Sequence, residues 1–135
     1  MEIQKQVHKN FIRSKYAEEL QYAIKQHQIY LKSLEKELNF YEFLLDSCKF
    51  KSPIMNLFER LTQFKIDIAT SNKNRALLLS EINAITFKRS NASLKNIDLI
   101  ITKLEKIEAK IHNFNTDISR LKSSMFEYLQ NVIAS

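Results

Sequence analysis

Residues 17–48 read AEELQYAIKQHQIYLKSLEKELNFYEFLLDSC. Within them Ala17, Leu20, Ile24, His27, Leu31, Leu34, Leu38, Tyr41, Leu45 and Cys48 recur at alternating steps of three and four. A mean step of about 3.5 is the period of a helix that winds around another helix. A strand cannot use it, because strand side chains alternate with period two. A helix with such a seam cannot bury it alone, so the rest of the chain has to supply partners.

Two rows flank the seam. Tyr16, Ala23, Tyr30 and Leu44 lie beside it and widen the stripe, as suits a helix with two neighbours. Tyr22, Ile29 and Phe43 point roughly opposite to the seam, which suits either scattered surface apolar residues, as are ordinary, or a face that meets another chain.

Working outward, the segment Cys48-Lys49-Phe50-Lys51-Ser52-Pro53 is the clearest break. Pro pushes the residue before it out of helical angles and is itself favoured at the first position of a helix. The pattern predicts that helix one ends at Cys48, that Ser52 caps, and that helix two starts at Pro53. Helix two carries its own seam: Ile54, Leu57, Leu61, Phe64, Ile68, Ser71, Arg75, Leu78, Ile82 and Ile85. The polar run Thr70-Ser71-Asn72-Lys73-Asn74 could be a loop, yet the three-four phase is kept across it. This predicts a continuous helix with a polar layer at Ser71 and Arg75, of the kind that sets register at some cost in stability.

A softer break follows at residues 90–93. Helix three then carries Leu94, Ile97, Ile101, Leu104, Ile107, Ile111, Phe114, Ile118, Leu121, Met125, Tyr128 and Val132, with one step of three where four was due. Residues 1–9 are polar and read as frayed or weakly helical.

The spans 12–48, 53–89 and 94–131 are nearly equal, each about 55 Å at 1.5 Å per residue. Equal rods joined by short turns predict one all-α domain over residues 1–135, an elongated antiparallel three-helix bundle with coiled-coil-like packing. The rival keeps helices two and three as one rod, which buries its stripe only in a dimeric coiled coil. In its three-rod plan alone, the chain resembles a spectrin-type repeat. It has no Trp, which those repeats commonly place in the core, and no functional residue carries across.

Composition agrees with helices. Of 135 residues none is Gly and one is Pro, so the positive backbone angles of hairpin turns and bulges have no ready supplier. The net charge of +6 comes mainly from Lys, a hydrated point charge that is a poorer phosphate fork than Arg. The one cysteine, Cys48, excludes an intramolecular disulfide. Neither a signal-peptide core nor a run long enough to span a membrane is visible, and the expected location is the cytoplasm.

Chemistry is hard to find. None of the three histidines has Glu three residues before it, as di-iron bundles require, and the zinc-protease pattern is absent. His27 sits on the seam, where burial would disfavour its charged form and acid would weaken the bundle. Cys48 has no His near it in sequence and reads as a small apolar filler. The expectation is therefore no enzyme, no cofactor, no metal and no small-molecule substrate.

What remains is contact. The leading expectation is a non-enzymatic protein–protein interaction or scaffold module, open to self-association. It would use the off-seam residues Tyr22, Ile29, Phe43, Leu77, Leu99 and Phe126. The alternative, from a different class, is an anion-binding module for nucleic acid or an acidic membrane surface. Its contacts would be Lys5, Lys9, Arg13, Lys15, Lys88, Arg89 and Lys95, gathered at one pole by antiparallel topology. The opposite pole collects half of the 14 aromatic residues: Phe40, Tyr41, Phe43, Phe50, Phe58, Phe126 and Tyr128. Sealing the end of the core is their simplest use, and docking a partner helix is the other.

Overall fold

Three helices carry the chain: α1 (Glu2–Ser47), α2 (Leu57–Asn83) and α3 (Leu94–Val132). They come from a computed structural model, which describes the backbone of residues 2–85 and 94–134 and the side chains of 16–85 and 96–134. Each helix packs against the other two, and the all-α three-helix bundle expected from the seams is what forms. The single-rod rival fails, because residues 84–85 leave the helix and α2 folds back along α3.

Cross-helix partners give the directions. Tyr30 bonds Asn115 and Glu37 bonds Lys122, both 85 residues apart, so α1 and α3 run parallel. Between α1 and α2 the numbers run oppositely: Asp46 meets Lys65, Glu35 meets Arg75 and Gln28 meets Asn83. The row that includes Tyr30 and Glu37 therefore faces α3, and the row on the other side of the seam faces α2.

The seams form the core. Leu31, Leu38, Ile82, Ile97 and Met125 are fully enclosed. Continuous burial of this kind stabilises by roughly 1.5–3 kcal/mol per large apolar side chain, against the entropy of ordering it. The polar run in α2 does not break the helix, and Arg75 is buried within it as the kept phase predicts.

Several local expectations need correction. The helices are 46, 27 and 39 residues long, not three matched rods. Helix α1 begins at Glu2 rather than near residue 12, since no Gly or Pro interrupts residues 2–11. Helix α2 starts at Leu57, not Pro53, and its N-cap is Asn56, not Ser52. The cause is long-range. The Lys51 N–H donates to the Val132 carbonyl at 2.8 Å, and the Ala134 N–H donates to the Lys49 carbonyl at 2.9 Å. Phe50 and Ile133 form an antiparallel bridge there, which holds the chain extended past the end of α1. The peptide bond Ser52–Pro53 is cis, and Asn56 takes a left-handed φ of 59°, which Asn tolerates better than most residues.

At its far end α2 stops at Asn83 instead of residue 89. The Ala84 N–H is shared among the Ser80, Glu81 and Ile82 carbonyls, and the Ile85 N–H bonds the Ile82 carbonyl, a tightened last turn. Of the row beside the α1 seam, Ala23 and Leu44 pack on the core, while Tyr16 and Tyr30 are exposed. Leu129, off the expected seam of α3, is buried. No helix among the described residues is long and apolar enough to cross a membrane.

Candidate functional site

Of the six off-seam apolar residues, five are exposed, and they do not form one surface. Tyr22 (66% exposed), Ile29 (51%) and Phe43 (62%) stand in one line on α1, at whole-heptad spacing, facing away from both other helices. Phe40 is exposed beside Phe43. Lys25, Lys32 and Lys36 run along the same side, and none of them has an ion-pair partner among the described residues. Leu77 is exposed but lies in the groove between α2 and α3, and Leu99 is exposed on α3. Phe126 corrects the expectation. It packs on the core with its ring edge against Tyr41, centroids 5.4 Å apart.

The aromatic pole divides in the same way. Tyr41 is buried and Phe50, Phe126 and Tyr128 pack on the core, while Phe40, Phe43 and Phe58 face solvent. The basic pole falls outside the described side chains: Lys5, Lys9, Arg13, Lys15, Lys88, Arg89 and Lys95 all lie among residues whose side chains are not described.

Two polar constructions inside the bundle follow from the helix directions. The first is the Arg75 layer. Its Nε donates to Asn72 Oδ1 at 2.8 Å, its Nη1 donates to the Leu31 carbonyl at 3.3 Å, and its Nη2 lies 3.5 Å from Glu35 Oε2. A buried cation needs such partners, since an unpaired one costs several kcal/mol. The second joins α1 to α3. The Tyr41 hydroxyl donates to Glu37, and Lys122 donates to the same carboxylate at 2.9 Å. These two bonds, Tyr41 first, hold the Glu37 carboxyl below its ordinary range. Burial and the Glu37 bond push the Tyr41 hydroxyl up, and the Glu37 and Tyr41 bonds push Lys122 up.

The α2–α3 side is built differently. Open cavities of about 300, 340 and 280 Å³ follow one another along it. The first two share Asn74 and Asp117, and the last two share Ser124, so they form a single groove. Helix α3 contributes Lys110, Asn113, Asp117, Arg120, Ser124, Glu127 and Asn131, each one residue before a seam residue. Helix α2 contributes Arg60, Asp67, Thr70, Ser71, Asn74 and Leu77. At one end the Arg60 guanidinium lies 4.8 Å from the Tyr128 ring centroid, and the Tyr128 hydroxyl is buried without a hydrogen-bond partner among the described residues. Apolar periodicity alone does not point to this polar row. Its signal in the sequence is that every position one residue before the seam, from Lys110 to Asn131, is polar.

The histidines and the cysteine stay apart. His27 is half-buried, with Nε2 3.8 Å from Glu108 Oε2. His112 is exposed and Cys48 is a partly buried free thiol. Among the described residues no group of His, Cys, Asp or Glu is placed to hold a metal ion. Comparison with protein-family models, with curated proteins and with solved structures finds no match.

Proposed function

We infer that the protein is a non-enzymatic helical interaction module that binds a partner protein through the outer face of α1. One observation carries the reading: Tyr22, Ile29 and Phe43 form an exposed apolar line on the side of α1 turned away from the rest of the bundle. Single exposed apolar residues are ordinary, but large ones repeating at heptad spacing offer a matching stripe to another helix. Lys25 and Lys32 beside the line, and Lys36 within it between Ile29 and Phe43, are free of ion pairs among the described residues and favour a partner helix that carries carboxylates in and beside its apolar stripe.

The test is a chain with Tyr22→Ser, Ile29→Ser and Phe43→Ser together. All three side chains are exposed, so the bundle should melt within a few degrees of the native chain, about the shift expected from surface changes. Proteins retained by the native chain from a lysate of its own cells should be lost by the triple variant. Retention of the same proteins by both chains removes this face from the reading.

A further inference from the structure

The α3 row in the α2–α3 groove has a symmetry of its own. From Lys110 to Glu127 the row Lys110, Asn113, Asp117, Arg120, Ser124 and Glu127 carries cation, amide, carboxylate, cation, hydroxyl and carboxylate in that order, and Asn131 continues it past that stretch. Read from the other end, each charge meets its opposite and the amide meets the hydroxyl. The row also keeps the mean step of about 3.5 that the core seam uses, so it follows the groove along its length instead of drifting around the helix.

We propose that the groove receives α3 of a second copy of this chain, antiparallel to the first, about a two-fold axis passing between Ile118 and Ser119. That axis sets Lys110 opposite the partner's Glu127, Asp117 opposite the partner's Arg120, and Asn113 opposite the partner's Ser124. Every pair occurs twice, as a two-fold contact requires. The contact spans about 26 Å of α3 at 1.5 Å per residue.

The walls of the groove fit this occupant. Arg60 and Glu127 line one cavity, while Asp67, Asp117 and Arg120 line the next. Docking places Glu127 between Arg60 and the partner's Lys110, and Arg120 between Asp67 and the partner's Asp117. Charges then alternate across each layer. Within one chain these groups are unspent: Asp117, Arg120 and Glu127 have no ion-pair partner among the described residues, and Lys110 alone is paired, with Glu81 at 3.1 Å. Exposed pairs of this kind are individually weak, so the dimer is salt-sensitive and assembles at high concentration.

Charge reversal tests the axis directly. Sedimentation equilibrium of the full chain at low salt, from about 1 μM to about 1 mM, reads the dimer constant. Asp117→Arg sets like charges opposite twice and should weaken the dimer about tenfold or more, and Arg120→Asp should do the same. The double variant Asp117→Arg/Arg120→Asp restores opposite charges across the axis and should bind tighter than either single variant, though short of the native chain because the carboxylate at 120 then lies beside Asp67. A native chain that stays monomeric overturns the proposal. So do single reversals without effect, or a double variant as weak as the singles. Both side chains are exposed, so helix content and melting should not change.

A second measurement fixes the register. In a Cys48→Ser background, Asn113→Cys and Ser124→Cys lie about 16 Å apart on one helix, too far for a disulfide within the chain. Oxidation should link the double-cysteine chain into a covalent dimer, with either single-cysteine chain linking far less. Equal linking by all three overturns the axis.

Discussion

Two arginines face different sides of the bundle and are treated in opposite ways. Arg75 occupies a seam position, loses nearly all contact with water, and is met by Asn72, the Leu31 carbonyl and Glu35. Arg120 lies one residue off the α3 seam, stays exposed, and has no ion-pair partner among the described residues. A cation on the seam has to be satisfied by its own chain, because water cannot reach it. A cation one step off the seam keeps its water and remains available to another molecule. The same contrast separates the two sides of α3. Toward α1, Asn115 and Lys122 are bonded to Tyr30 and Glu37; toward α2, Lys110 is paired with Glu81 while Asp117, Arg120 and Glu127 line an open groove without an ion pair among the described residues.

Truncation gives the largest expected effect. Arg75→Ala removes the cation from its layer, strands the Asn72 side chain and leaves a void. It should cost about 2 kcal/mol in denaturant unfolding. Arg75→Met, which fills the seam without a charge, should lie within about 1 kcal/mol of the native chain. Arg120→Ala should change stability by less than about 0.5 kcal/mol. If Arg75→Ala were as mild as Arg120→Ala, the distinction drawn between the two sites would collapse.

Much of this contrast is legible in sequence, and the part that is not has a physical explanation. The three-four phase places Arg75 in the core, because a seam is a statement about which side of a helix faces its neighbours. It also places Leu31, Leu38, Ile82 and Ile97 correctly. The same rule misplaces Phe126, since a ring one position off the seam can still fold onto Tyr41 on another helix. The start of α2 is missed for a different reason. Residues 49–51 pair with residues 132–134, about eighty positions later, and no local preference records that. The polar row on α3 is present in the sequence, but a reading that follows apolar residues passes over it.

A smaller effect should appear in the acid limb. Glu37 is held below its ordinary value of about 4.5 by the Tyr41 and Lys122 bonds. A lowered carboxyl stabilises above its unfolded value, and that contribution is lost as pH falls through the folded value. The native chain should therefore lose stability below about pH 4.5, and Glu37→Gln should lose less over the same range while being less stable at pH 7. Glu37 and Lys122 are partly solvated, so the difference should stay below about 1 kcal/mol. At the alkaline end the signs reverse. Tyr41 and Lys122 are both raised, so their share is present below about pH 10 and is lost as pH climbs through their folded values. An unchanged acid limb in Glu37→Gln would show that this bridge adds nothing to the α1–α3 side.

The last effect is the most sensitive to the contrast, because its sign depends on it. Tyr41 and Tyr128 both pack on the core with partners from another helix. The Tyr41 hydroxyl is bonded to Glu37, whereas the Tyr128 hydroxyl is buried without a partner among the described residues. Burying a hydroxyl without a bond loses its water and gains nothing, so its removal relieves a cost. Tyr128→Phe should thus be neutral or stabilising by up to about 1 kcal/mol, while Tyr41→Phe should destabilise by about 1 kcal/mol. The six-membered ring is kept in both variants, so the Arg60 guanidinium retains an aromatic face to lie over in Tyr128→Phe. A loss of stability in Tyr128→Phe as large as that in Tyr41→Phe would mean that the hydroxyl on the groove side is satisfied after all. The two sides of α3 would then be equally closed, and the groove would have no unsatisfied group at its end.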